Sequence, residues 1–329
     1  MNWQKLPLES SQLNLTTVLR CGQSFRWKQI HNIWSIAYKR RIIFVKQEGD
    51  FLYYRAEGAK QDVPTTIDII HDYFNVDTDL NMLMTEWKSK DSKFVKSARS
   101  VQGVRILRQD PWECLCSFIC STNNNIKRIS QMVENLCRYY GEFLGTVDGY
   151  DYYDFPGPEK LSGSTVEAKL RSIGFGYRAK YIQKTAEMVS GHPEGLDYLI
   201  SLREKPYVES HAALLEFAGV GPKVADCVCL MSLDKHDVVP VDTHVWQIAQ
   251  RDYKLGRNFK TLNKVAYQQI GDHFRQLWGT HAGWAHSVLF TADLKDLNNG
   301  LNMSTVKTET KRTMEELELP EPKKVLVGG

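Results

Sequence analysis

The chain has 329 residues, 42% of them hydrophobic, 25% charged and 11% aromatic, with a formal net charge of +3. That length and apolar content allow one to three domains with real cores, and the aromatic content argues against disorder through most of the chain. No run approaches the roughly 18 apolar residues of a membrane span, so no membrane partner is expected, and the mild positive charge permits a nucleic-acid partner without demanding one. The seven cysteines, Cys21, Cys114, Cys116, Cys120, Cys137, Cys227 and Cys229, are odd in number and form no CxxC pair. With no signal peptide in the polar N-terminus, reduced thiols in an intracellular protein are expected.

Residues 24–27, 33–38, 41–45 and 51–55 are short β-branched and aromatic runs separated by plausible hairpin connections, which predicts an antiparallel meander. Residues 65–74 read as a helix, with Ile67, Ile70 and Phe74 on one face. From about residue 80 the pattern is helical, with helices predicted at 79–87, 91–99, 110–121, 125–140, 165–172, 178–190, 195–202, 206–217, 222–232, 243–252, 261–277 and 281–292. Gly and Pro clusters punctuate them. From Asn298 the apolar periodicity stops, and 307–324 mixes charges with two prolines, as a flexible tail does. Strands followed by helices make the fold class α+β.

The stretch Leu214 to Cys227 predicts a helix, a tight turn at Gly219-Val220-Gly221 and a second helix beginning near Pro222. Such a turn leaves N–H groups unpaired at a helix N-terminus, a ready anion site. Lys223 lies in the first turn, where the positive end of the helix dipole disfavours an ammonium, and a neutral amine is a nucleophile. Cys227, four residues on, shares its helix face. Taken alone, the stretch is equally an αα-hairpin with a solvated lysine.

Four more segments are ambiguous one at a time. Asp242, in Val239-Pro240-Val241-Asp242, precedes a helical pattern and reads first as an N-cap. Asn123-Asn124-Asn125 joins two helices as a turn would, though amides beside Arg128 can also meet base edges. Gly174-Phe175-Gly176-Tyr177-Arg178-Ala179-Lys180-Tyr181 interleaves glycine, aromatic and basic residues, as a loop pressing on nucleic acid would, or as an ordinary helix start with a buried tyrosine. His286 and Phe290 share one helical face, where a lone histidine is more often structural.

Together, in this order, Gly22-Gln23-Ser24-Phe25-Arg26-Trp27, Gly103-Val104-Arg105, Ser117-Phe118-Ile119-Cys120-Ser121 with its three asparagines, Gly176-Tyr177-Arg178-Ala179, Lys223-Val224-Ala225-Asp226-Cys227, Val239-Pro240-Val241-Asp242 and Ala282-Gly283-Trp284-Ala285 resemble the motifs of one family. The chain from about residue 10 to 295 is similar to the helix-hairpin-helix DNA glycosylase superfamily, and within it to the eukaryotic 8-oxoguanine DNA glycosylases. The resemblance implies a twisted antiparallel β-domain at 1–108, a helical glycosylase domain at 109–296 and a tail at 297–329. It also implies a bifunctional base-excision-repair enzyme, with no cofactor and no metal, acting as a monomer on double-stranded DNA that contains oxidised guanine. The nucleus is the expected compartment and the mitochondrion the second.

Carried over by motif, Lys223 is the expected nucleophile at the sugar C1′ and Asp242 its partner carboxylate. Gly22, through its carbonyl, Cys227, Pro240, Asp242, His286 and Phe290 would hold the flipped base, with Cys227 and Phe290 as its two walls. Asn123, Arg128, Tyr177, Arg178, Gly219, Gly221 and His244 would contact DNA. In that set Asn123 fills the vacated space, Arg128 and Arg178 meet the opposite cytosine, Tyr177 wedges into the stack, and the two glycines with His244 hold phosphates. The family usually carries glutamine where this chain has His286. An imidazole offers one donor and one acceptor in a given tautomer, so weaker or more pH-dependent base selection is expected.

Endonuclease III-type relatives carry four clustered cysteines for an iron–sulfur cluster, and no cysteine follows Cys229 here. Methylpurine-type relatives lack the hairpin lysine. A non-catalytic hairpin that only binds DNA backbone would need neither the lysine–aspartate pair nor a base pocket.

Overall fold

The computed structural model describes residues 2–58 and 64–294. Its first element, β1 (Gln4–Pro7), was not expected; α1 (Leu15–Val18), β2 (Lys28–Ile30), β3 (Ile33–Tyr38), β4 (Arg41–Glu48) and β5 (Phe51–Glu57) come next. All pairings are antiparallel, in the order β1-β5-β4-β3-β2, so the meander forms and β1 adds an edge beside β5. The β3–β4 turn holds Lys39 and Arg40 at φ 49° and 60°, the positive φ that a two-residue turn between twisted strands requires.

Strand alternation separates two apolar faces. Trp34, Ile36, Ile43, Val45 and Tyr54 face a core closed by Ile69 and Ile70 of α2 (Thr66–Tyr73) and by its C-cap Phe74; the helix is started by a Thr65/Asp68 capping box. Ala37, Ile42 and Phe44 face the other way, onto Tyr152, which belongs to a second, unexpected hairpin inserted among the helices.

Residues 24–27 are not a strand. Their alternation serves two bodies at once: Phe25 enters the helical core, while the buried Arg26 donates to Glu113 at 2.6 Å and to the Ala37 carbonyl at 2.7 Å. With both faces occupied by tertiary contacts, the segment bridges sheet and helices instead of pairing.

The helical part comprises α3 (Leu80–Lys90), α4 (Ser92–Ala98), α5 (Pro111–Ser121) and α6 (Ile126–Tyr140), then the hairpin β6 (Phe143–Val147) and β7 (Tyr150–Tyr153). After them come α7 (Pro158–Leu161), α8 (Val166–Ser172), α9 (Arg178–Gly191), α10 (Leu196–Ser201), α11 (Tyr207–Leu215), α12 (Pro222–Ser232), α13 (Thr243–Ile248), α14 (Lys264–Trp278) and α15 (Ala282–Asp293). The single helix expected at 243–252 is α13 followed by a π-turn at Ala249–Tyr253. Trp87, Phe94, Phe175, Phe274, Trp278 and Trp284 are buried in one core, each contributing roughly 1.5–3 kcal/mol by burial. Leu80, Trp87 and Phe94 join that core, so α3 and α4 pack with the helical body and not with the sheet. The tail read at 297–329 lies outside the described residues.

Two ties fix how the helical part is seated around Gly22 and Asp242. Gly283 on α15 sits where any Cβ would stand 2.3 Å from the Val238 carbonyl, so only glycine lets α15 seat against the segment leading to Asp242. Gln23 bonds the Arg105 carbonyl and the Leu107 N–H, both at 3.0 Å, which pins the strandless segment beside Gly22.

Candidate active site

The turn between α11 and α12 forms as expected. Gly219 has φ +78°, and a Cβ there would lie 2.5 Å from the Tyr181 ring of α9. Gly221 is the N-cap of α12 and Pro222 opens the helix. Among the described residues, the N–H groups of Gly219 and Gly221 donate to no backbone carbonyl. They remain available to an anion.

One cleft draws on five segments distant in sequence. Its lining includes Gly22, Phe118, Lys223, Cys227, Pro240, Asp242, His286 and Phe290. All the residues assigned to base binding and both catalytic candidates are therefore brought together. The cleft is half open to solvent and holds about 50 Å³, room for a few waters. Phe290 is half-buried at the cleft and packs against the helical core.

Lys223 Nζ lies 5.2 Å from the centre of the Phe118 ring and 3.5 Å from Ser121 Oγ, and no ion pair joins it to Asp242. Asp242 caps α13, accepting the Val245 N–H at 2.9 Å with one oxygen, while the other has no hydrogen bond among the described residues. Burial pushes the Cys227 thiol up to about 11, with nearby Lys223 pulling the other way. Cys227 is a neutral wall and not a second nucleophile.

His286 is buried, and neither ring nitrogen has a hydrogen-bond partner of good geometry. Orphaned buried polar atoms are rare in folded proteins, and two of them in one cleft are hydrogen-bonding capacity held for something else. Burial pushes the imidazole down to about 4, with Asp242 and the nearby Gly283 backbone opposing and His244 and Lys223 adding to the shift. A value that low keeps the imidazole neutral near pH 7.

The DNA-contact candidates divide. The three asparagines have three jobs: Asn125 caps α6, Asn124 donates to the Cys120 carbonyl at 2.9 Å, and Asn123 is exposed at φ +47°. Tyr177 is 46% exposed, and Arg128 is exposed and donates to the Gly174 carbonyl. Arg178 departs from expectation. It is 3% exposed and turned inward, donating to the Thr122 and Asn123 carbonyls, so it holds the asparagine loop instead of facing outward. His244 stacks edge-on against Phe290, ring centres 5.1 Å apart, with Nε2 3.0 Å from Asp293.

Sequence reasoning missed Phe118 and Ser121 as neighbours of the lysine, Tyr181 beneath the turn, and Asp293. Phe118 and Ser121 lie in a stretch that stands out for its asparagines, and Tyr181 ends the run of glycine, aromatic and basic residues that begins at Gly174. All seven cysteines are free and buried.

A glycine-turn helix pair bearing a lysine, facing a capping aspartate across a cleft walled by Cys227 and Phe290, defines a DNA glycosylase of the helix-hairpin-helix class. The N-terminal domain model of 8-oxoguanine DNA glycosylase matches residues 5–115, and the HhH-GPD superfamily base excision DNA repair model matches 116–270. The chain belongs to the 8-oxoguanine DNA glycosylase family. It is 39% identical to the N-glycosylase/DNA lyase of Saccharomyces cerevisiae, over 92% of this chain and 89% of the relative. It is 38% identical to the N-glycosylase/DNA lyase OGG1 of Arabidopsis thaliana, over 89% and 80%. Its fold matches the Clostridium acetobutylicum 8-oxoguanine glycosylase/lyase in complex with double-stranded DNA containing cytosine opposite 8-oxoG, with TM-score 0.74 and 30% identity, over 85% of this chain and 91% of that one.

Proposed function

We propose that this protein flips 8-oxoguanine out of duplex DNA, excises it and then nicks the strand, using Lys223 as the nucleophile. The observation that carries the reading is the convergence of Lys223, Asp242, Cys227, His286, Phe290 and Gly22 on one cleft. The neutral amine attacks C1′ of the extruded nucleotide. The bond from C1′ to the base breaks, its electron pair leaves with the base, and the base takes up a proton. Loss of the amine proton and opening of the sugar leave an iminium between Nζ and C1′. Removal of a C2′ proton then expels the 3′ phosphate. Asp242 stabilises the positive charge that develops on the sugar. It does so without ceasing to cap α13.

Gly22 offers its carbonyl to N7–H, which 8-oxoguanine has and guanine lacks. An undamaged base would set a lone pair against that carbonyl. The free N–H groups at Gly219 and Gly221 hold phosphate near the lesion, and Asn123 and Tyr177 enter the stack. Arg128 meets the opposite cytosine, and Arg178 supports that contact by shaping the loop. The acting unit in this reading is a single copy. The substrate points to nuclear DNA first and mitochondrial DNA second.

A nicking assay on duplexes carrying 8-oxoguanine opposite each of the four bases tests the reading, with cytosine expected to be preferred. Borohydride should link the wild-type protein covalently to the lesion strand, and Lys223→Gln should lose both trapping and base release. Base release by Lys223→Gln at the wild-type rate would overturn the assignment.

A further inference from the structure

We propose that the Thr291 hydroxyl contacts the extruded base, donating to a carbonyl oxygen on the purine edge that faces away from His286. Four side chains of α15 line the cleft: His286, Ser287, Phe290 and Thr291. The three polar ones are all more than nine-tenths buried, Thr291 completely so. Their hydrogen bonding differs. Ser287 Oγ is committed within the helix, donating to the Gly283 carbonyl at 3.0 Å. Thr291 Oγ1 has no hydrogen-bond partner among the described residues, and neither ring nitrogen of His286 has one. A helical threonine can return its hydroxyl to a carbonyl one turn back, as Ser287 does; Thr291 does not. A buried hydroxyl left unbonded costs stability, and such groups are rare unless they serve a ligand.

Helix geometry sets the two unpartnered groups on opposite sides of the aromatic wall. At 3.6 residues per turn, Phe290 stands about 40° round the helix from His286, and Thr291 about 140°. The inference rests on the glycosylase reading, in which the base lies against the Phe290 ring. One edge of that base then turns towards His286 and the opposite edge towards Thr291. With the Watson–Crick edge at His286, the other edge carries O6, N7–H and the C8 carbonyl. The Gly22 carbonyl takes N7–H, so the groups left unpaired there are carbonyl oxygens, which need a donor. The remaining polar side chains nearby are spent: Gln23 bonds the Arg105 carbonyl and the Leu107 N–H, and Ser287 bonds Gly283. Of the two hydroxyls that line the cleft, only that of Thr291 is free to donate.

Stability and activity should therefore part company when the hydroxyl is removed. Thr291→Val keeps the side chain's shape and deletes the unbonded group, so the full-length variant should melt no lower than wild type. Its single-turnover release of 8-oxoguanine should fall about tenfold or more relative to its nicking of a pre-formed abasic site, which has no base to contact. Thr291→Ser restores the donor and should hold that ratio within threefold of wild type. Ser287→Ala deletes the neighbouring, committed hydroxyl and should also stay within threefold. A Thr291→Val protein that melts lower with its ratio unchanged would make the hydroxyl structural and overturn the contact. Equal ratio losses in Thr291→Val and Ser287→Ala, or a loss that Thr291→Ser does not rescue, would trace the effect to packing and overturn it too. A wild-type protein that releases no 8-oxoguanine would instead overturn the glycosylase reading.

Discussion

Lys223 Nζ rests against the Phe118 ring face, 5.2 Å from its centre, while no ion pair joins it to Asp242 across the same cleft. The aspartate is instead half committed to the Val245 N–H as a helix cap. The two groups proposed for the chemistry thus sit without an ion pair, each at its own helix start.

That division makes the two roles of Asp242 separable. Asparagine caps a helix as well as aspartate does, so Asp242→Asn should leave stability within about 0.5 kcal/mol. It carries no charge to oppose a cationic sugar, and base release should fall by about 10²- to 10⁴-fold. Thermal melting and single-turnover excision on the same preparation check both halves. A stable variant with wild-type excision would remove Asp242 from the chemistry.

Gly219 combines a left-handed backbone with a ring pressed where its Cβ would be. Gly219→Ala should cost roughly 1–3 kcal/mol and spoil the phosphate grip. Phosphate contacts carry no sequence information, so affinity should drop by a similar factor on undamaged and lesion duplexes. Fluorescence anisotropy on both duplexes reads this; a loss confined to the lesion duplex would count against a phosphate role.

His286 predicts an acid-sensitive fold. Its folded value of about 4 lies below its ordinary 6.5, so between those pH values the unfolded chain binds a proton that the folded protein refuses. Stability is therefore lost as pH falls from 6.5 towards 4, by about 2 kcal/mol at pH 5 from this group. Glutamine does not titrate there. Melting curves of wild type and His286→Gln should diverge as pH drops from 7 to 5; parallel curves would mean the imidazole already finds a partner.

Cys227, pushed up to about 11 by burial, should resist alkylation in the native protein. Iodoacetamide at pH 7.5 followed by peptide mass spectrometry should show far slower labelling of Cys227 than in urea. Rapid native labelling would point to a thiolate in the cleft.

Much of the arrangement is legible in residue order because some chemistry is local. Proline after glycine can start a helix only one way, and Asp242 before an apolar period is a cap whatever surrounds it. The β6–β7 hairpin is equally local, though it was not expected: Asp148 and Gly149 both take positive φ, and Asp-Gly is among the strongest hairpin signals. Residues 24–27 mislead for the opposite reason, since period-two alternation records two buried faces without saying whether a neighbouring strand is one of them.

By itself the sequence determined the glycine turn and the lysine and aspartate at their helix starts, because each is set by backbone chemistry within a few residues. Only the tertiary structure decided that Arg178 faces inward to hold the asparagine loop, that His286 is buried with both nitrogens unpartnered, and that Asp226 reaches Tyr267 on α14. Burial and hydrogen-bond partnership depend on which helices pack together, and residues as far apart as 226 and 267 carry no mark of that meeting in their own neighbourhoods.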